Sequence, residues 1–359
     1  MNEWKNVRTN QLREQLSARR QKQFLRFTFL PSKDVKSIDY FPRSLTSELK
    51  LLSQNGFEYV PWADGRDECD IAIFTAHGSD NCAELLQIRS LNENMLIAVW
   101  FWDNHIAQFY NLKTALMADL AFVSHNYNGA YLANPMSALA RHVPACSAQW
   151  TRDEASKLFN SAGNGRRSDK LLVNYVAYDF SWRTPLLTKL KNEFPEAEVL
   201  LMPNNDRSRY FKKNAEERFQ EWLGYKASLL LPVDYDLSTR IFDALLAGQV
   251  VLAAPMIPDL DLVIPPDTQK RLGILRLPDL ELATIRKFTE QAITMFDDGG
   301  YQASRARHEF ILGSHMLFHR IETILEFIRA AVKGHIAPIF AANEQMQPGI
   351  YFRGATNNQ

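Results

Sequence analysis

Cysteine is scarce in this 359-residue chain: Cys69, Cys82 and Cys146 are odd in number and widely spaced, with no CxxC pair. A disulfide framework and a cysteine-based zinc site are thereby excluded, and the three read as ordinary thiols of a reducing compartment. A cytoplasmic location follows as the expectation. No run approaches the ~18 uninterrupted apolar residues of a membrane-spanning helix. Net charge of either sign is missing as well, with 41 basic and 41 acidic residues, so no broad basic field exists to gather nucleic acid. The sequence contains no GxxxxGK[ST], no GxGxxG after a strand and no GxSxG, which removes the P-loop, dinucleotide-fold and hydrolase-elbow readings. The opening stretch MNEWKNVRTNQLREQLSARRQKQ lacks an apolar core and is no secretory signal. It reads as a charged, solvated helix over 1–23, with peripheral contact to acidic lipid left open.

What the chain does have is 46% hydrophobic and 23% charged residues, the balance of a soluble globular protein, at a length that favours two domains. Short apolar runs alternate with helical patterns: FLRFTFL, EYVPW, DIAIF, LIAVWFW and LAFVSH as strands, with helices expected at 44–56, 82–93, 107–118 and 126–135. Such alternation predicts a parallel sheet covered on both faces. RHVPACSAQW is expected as a last short strand of a first domain over 24–160. The Gly- and Ser-rich SAGNGRRSDK (161–170) reads as a hinge or linker. Alternation then restarts with KLLVNYVAY, AEVLLM, ASLLLPV, VVLAAP and GILRLP, giving a second domain over 171–335. A tail at 336–359 either packs across the first domain or frays. Both domains are expected to be Rossmann-like, with parallel sheets facing an interdomain cleft, and ligands to sit just beyond the strand carboxyl ends.

The segment LLPVDYDLSTRIFDALLAGQVVLAAP (230–255) is a strand, a polar loop, a helix closed by Gly248 and a second strand. Unpaired N–H groups at that helix start, with Ser238 or Thr239 as cap and the planar fork of Arg240, suit a phosphate. Asp243 shares a helix face with Arg240, and the plain alternative is a surface Arg–Asp pair. In AVWFWDNH (98–105), Trp102, Asp103, Asn104 and His105 emerge after a strand, where a carboxylate or imidazole could accept a proton from a hydroxyl and Trp102 could stack on a sugar. Capping and core packing explain the same residues equally. Arg183 opens a helix after the first strand of the second domain. SHNYNG, with His125 and Asn126, and LPSKD (30–34) are further post-strand loops that could meet an acceptor. His315 and His319 have i,i+4 spacing, but packing is favoured over metal binding there.

The run STRIFDALLAGQVVL resembles the nucleotide-sugar segment of GT-B glycosyltransferases, closest to the CgeB-type, glycosyl transferases group 1 branch with its S-x-R-x-F-E-x-x-A-x-G run. HEFILGSHMLFHRIETILEFI resembles that family's closing helices. The resemblance implies a metal-independent glycosyltransferase, acting in polysaccharide biosynthesis or related work, that moves a sugar from a nucleoside-diphosphate-sugar to a glycan, lipid-linked or protein acceptor. It places Asp243 on the donor ribose, and Ser238, Thr239, Arg240 and Arg183 around the diphosphate. If the reaction inverts, Asp103 or His105 is the base, whereas retention of configuration requires none; Trp102, Asn104, His125 and Asn126 border the acceptor. Asp at 243 departs from the usual Glu. The pairs Asp234-Tyr-Asp236 and Asp259-Leu-Asp261 match a metal-binding motif that has meaning only in the other, single-sheet glycosyltransferase fold. A GT-B-like nucleotide-sugar epimerase and a non-catalytic assembly protein are the alternatives.

Overall fold

The computed structural model describes residues 3–32, 40–62, 68–163, 165–203, 212–343 and 346–354. It divides into two compact units, Met1–Ala145 with Phe318–Gln359, and Cys146–Leu317. The first opens with α1 (Glu3–Ser17), β1 (Leu25–Pro31), α2 (Tyr40–Ser47), a 3-10 turn at Leu49–Asn55 and β2 (Phe57–Tyr59). There follow β3 (Ile71–Ala76), α3 (Cys82–Leu91), β4 (Leu96–Phe101), α4 (Gln108–Met117), β5 (Leu120–Val123) and β6 (Ala138–His142). Every residue of β3, β4 and β5 is buried, as the continuous apolar runs require of strands covered on both faces. The helix expected at 126–135 is instead a 3-10 turn, Asn126–Leu132. It is seated so closely that a Cβ at Gly129 would lie 2.8 Å from Val123.

The second unit contains α5 (Arg152–Ala162), β7 (Ser168–Ala177), α6 (Arg183–Glu193), β8 (Ala197–Pro203), α7 (Ala215–Leu223), β9 (Tyr225–Leu230) and α8 (Thr239–Leu246). After these come β10 (Val250–Ala253), α9 (Asp259–Val263), α10 (Pro266–Leu272), β11 (Ile274–Arg276) and α11 (Leu282–Ser314), the last broken at Gly300 with φ +54°. Its sheet has the order β11-β10-β9-β7-β8 and all its pairings are parallel. From β7 the chain runs to β8 on one side and then to β9 on the other. The topological switch therefore falls between the carboxyl ends of β7 and β9, where ligands of open α/β sheets bind.

The chain then returns to the first unit through α12 (Leu317–Lys333), β12 (Ile336–Asn343) and β13 (Met346–Gly354). The tail expected to pack or fray is a hairpin that extends the first sheet, in the order β12-β13-β6-β5-β4-β3-β1-β2. Three expected boundaries move accordingly. Helix α5, placed by the sequence in the first domain, belongs to the second, because Phe159 stacks on His308 at 4.1 Å and on Tyr301 at 5.9 Å. The 161–170 segment is then a loop between α5 and β7 inside that unit rather than the link between domains. Helix α12, placed in the second domain, belongs to the first, where Phe327 packs edge-on against Phe122 and Phe352. No helix among the described residues is long and apolar enough to cross a membrane.

Candidate functional site: a basic seat and a histidine–carboxylate cluster

In the second unit the site grows from Tyr175, near the carboxyl end of β7. Its hydroxyl donates to Leu229 O and accepts from Leu231 N, both at 2.7 Å, tying β7 to the loop that leaves β9. The guanidinium carbons of Arg183 and Arg240 each lie 4.7 Å from its ring centroid. Arg183 starts α6 after β7 and is only 1% exposed. It donates to Leu231 O at 3.2 Å and Val176 O at 3.4 Å, and its Nε is buried without a partner. Burial, with Arg240 nearby, pushes its pKa down to about 10. Arg240 opens α8 after β9, donating to Asn174 O at 2.8 Å and to Ser238 Oγ at 3.4 Å. Among the described residues neither guanidinium forms an ion pair. One buried and one half-buried guanidinium flank a single ring, and the hydrogen-bond partners of both are neutral, an arrangement that suits an anion.

The helix start supplies the rest. Ser238 caps α8 with its side chain accepting from Arg240 N, and Thr239 is half-buried beside it. Asp236 closes the approach loop, with Oδ1 accepting from Val233 N and Asp234 N. Between them Tyr235 takes a left-handed backbone, φ +61°, rare for a residue with a Cβ. Asp236 thus serves the loop itself. Asp261, in the second sequence pair, binds Arg276 and Gln269.

Asp243, which the resemblance places on the donor ribose, is enclosed. It is 2% exposed, and its two oxygens accept from Ser147 Oγ and Gln149 Nε2, both at 2.7 Å. Burial pushes its pKa up to about 6 against the opposing pull of those two bonds. This burial rules out a surface pair with Arg240. Sequence reading missed Ser147 and Gln149, because they lie over 90 residues away in a stretch that looked like plain strand.

In the first unit the site residues follow neighbouring parallel strands: His77 after β3, Trp102 to His105 after β4, His125 after β5. The sheet order reverses between β1 and β3, so His77 stands at this sheet's own switch point. His77 Nδ1 lies 3.6 Å from Asp103 Oδ2, and Asp103 keeps 30% side-chain exposure. Burial works against ionising Asp103, but His77, His105 and His125 together hold its pKa below the usual carboxylate value. His105 is 7% exposed, meets His125 edge-on at 4.3 Å and has a buried Nδ1 without a partner.

Two expected acceptor contacts become packing. Trp102 is 7% exposed, stacked on His77 and tilted against Trp100 at 4.6 Å, so little of its ring is left for a sugar. Asn104 is fully buried. It accepts from His125 N and donates to His125 O and Asn128 Oδ1, pinning one post-strand loop to the next. Asn126 is exposed at the start of the following turn. Of LPSKD, Lys33 and Asp34 lie outside the described residues. The closing histidines separate: His315 is stacked on Phe242, while His319 sits on α12. His77 was missed although it too follows an apolar strand, DIAIF, and the rule that ligands gather beyond strand ends would have found it.

No protein-family model matches this chain, and no curated protein matches it in sequence. Among solved structures, a sucrose-phosphate synthase from Thermosynechococcus elongatus is similar over 85% of this chain and 98% of its own, with a TM-score of 0.52 at 12% identity. An α-glucosyltransferase in complex with UDP and a mismatched DNA 13-mer is similar over 85% of this chain and 99% of its own, with a TM-score of 0.53 at 10% identity. At these identities the likeness establishes the fold. The chain has a two-domain α/β architecture of the GT-B fold.

Proposed function

We propose that the protein is a glycosyltransferase of the CgeB-type, group 1 kind that takes its sugar from a nucleoside-diphosphate-sugar. The observation that carries this reading is the pair of guanidiniums, Arg183 and Arg240, set against Tyr175 at the switch point of the second sheet. Arg240 and the start of α8, capped by Ser238 and followed by Thr239, receive the diphosphate. Arg183 holds a second positive charge beneath it. A diphosphate leaving group develops charge as the glycosidic bond breaks, and fixed cations with a helix dipole stabilise it without a metal. UDP bound to one structural neighbour fits this choice of donor.

The acceptor hydroxyl, on a glycan, a lipid-linked group or a protein, loses its proton to the Asp103–His77 pair. Asp103 is the member with an open face. With its pKa held low Asp103 is ionised at neutral pH, and His77 Nδ1, 3.6 Å away, orients it. The three free thiols fit work in a reducing compartment such as the cytoplasm.

Calorimetric titration with UDP, TDP, GDP and ADP tests the seat. At least one is expected to bind, and Arg240→Ala to weaken it by about 1–3 kcal/mol. Incubation with the matching nucleotide-sugars is expected to release nucleoside diphosphate, with Asp103→Ala sparing donor binding while lowering transfer. Absence of binding across the four nucleotides, or an unchanged affinity in Arg240→Ala, would overturn the reading.

A further inference from the structure

The loop Tyr178–Trp182, between β7 and α6, carries aromatic residues that packing does not explain. Phe180 is 70% exposed and Trp182 40% exposed. Trp182 leads into α6 with helical φ −56° and ψ −25° and makes no side-chain cap bond, while Ser181 Oγ accepts from Arg183 N at 3.4 Å and does the capping. Helix formation therefore does not account for it either.

These residues continue the basic seat. Arg240 lies 4.7 Å from the Tyr175 ring, Arg183 lies 4.7 Å from that ring and 5.5 Å from the Tyr178 ring, and Tyr178 stacks on Phe180 at 5.2 Å with 28° between planes. Cations and rings alternate outward from the buried Tyr175 near the carboxyl end of β7, and Phe180 is the last, exposed member. Phe180 is thus linked to the Arg183 guanidinium through one intervening ring, Tyr178.

We propose that Phe180 is the platform on which the donor's nucleobase stacks, with Trp182 beside it. The inference rests on the diphosphate seat above and adds to it the element that recognises the base. An exposed aromatic face takes any planar base, and such stacking depends on the ring rather than on hydrogen-bonding groups. Phe180 therefore supplies affinity for nucleotides as a class and leaves choice among bases to other groups.

The test compares Phe180→Ala and Phe180→Tyr in the full-length protein, with UDP, TDP and inorganic pyrophosphate as probes in calorimetry. Phe180→Ala is expected to weaken both nucleotides tenfold or more and leave pyrophosphate unchanged. Phe180→Tyr, which keeps the ring, should retain nucleotide affinity, and Arg240→Ala should weaken all three. Nucleotide, but not pyrophosphate, is expected to change the fluorescence signal that Trp182→Phe removes. Because Phe180 is exposed, thermal unfolding of its variants should match the parent. Nucleotide affinity unchanged in Phe180→Ala but lost in Arg240→Ala overturns the platform and leaves the seat standing. A raised acceptor KM with unchanged nucleotide affinity also overturns it, placing an apolar acceptor on the ring instead. Failure of the parent protein to bind any of the three probes removes the seat and the platform together.

Discussion

At Asp243 a carboxylate is held between two neutral donors, Ser147 and Gln149, and among the described residues no cation hydrogen-bonds to it. Its pKa of about 6 in the folded protein stands well above the ~3.9 of an unfolded chain. Between those values the folded state binds a proton that the unfolded state has released. Stability from this group is therefore complete below about pH 4 and is lost as pH rises through 6. Asp243→Asn cannot titrate. Between pH 4 and 7 the parent should lose about 2–3 kcal/mol more stability than the variant. Urea denaturation of both proteins at pH 4, 5, 6 and 7, followed on the transition of the second unit, reads this difference, and parallel curves would refute it. Asp103 runs the other way. Its lowered pKa adds stability at neutral pH that is lost only as pH falls through that pKa.

Helix α8 shows why one element of the site was legible and its setting was not. The sequence displays the cap Ser238, the apolar Ile241–Phe242 and Ala244–Leu246, and the stop Gly248, and all lie where the pattern puts them. What fixes the other end of the helix is spread across the chain. The carbonyls of Leu246, Ala247 and Gly248 accept from His308 Nδ1, Arg167 Nη1 and Arg307 Nη1, placing donors and positive charge at the negative pole of the helix that carries Arg240 at its start. Spacing along the sequence cannot pair 167 and 307 with one helix end, just as it could not pair Ser147 with Asp243. The strands were readable for the opposite reason, since an apolar run declares its own burial. Gly248 links the two cases. Its φ is +78°, and a Cβ there would stand 3.0 Å from Phe159 and Ser304. Gly248→Ala is expected to destabilise the second unit by about 2 kcal/mol, from left-handed strain and overlap together. A midpoint in urea within error of the parent would show that the turn relaxes freely.

Taken whole, the chain makes one continuous unit inside one discontinuous unit. Residues 146–317 form the second unit without interruption, whereas the first is completed only when the chain returns with α12, β12 and β13. Sequence reading cut the molecule at the Gly-rich 161–170 stretch, because composition marks loops and does not say which side of a loop a helix packs on. The two crossings are joined within the second unit itself. Ser147 N donates to His315 O at 3.0 Å and Leu317 N donates to Ser147 O at 3.1 Å, so entry and exit are laced beside Asp243. A fragment of residues 146–317 therefore keeps its five-stranded sheet, its laced ends and the whole Arg183–Tyr175–Arg240 seat. A fragment of residues 1–145 leaves β6 without β13 and Phe122 without Phe327. The longer, continuous fragment is expected to unfold cooperatively and to bind the same nucleoside diphosphate as the full chain, within about tenfold. Residues 1–145 alone are expected to lack a cooperative transition, because a buried strand edge and a core ring are exposed together. Circular dichroism melting and calorimetry of the two fragments decide the matter. A cooperatively folded 1–145, or a 146–317 fragment that folds yet fails to bind a nucleotide the full chain binds, would mean that the seat depends on the first unit after all.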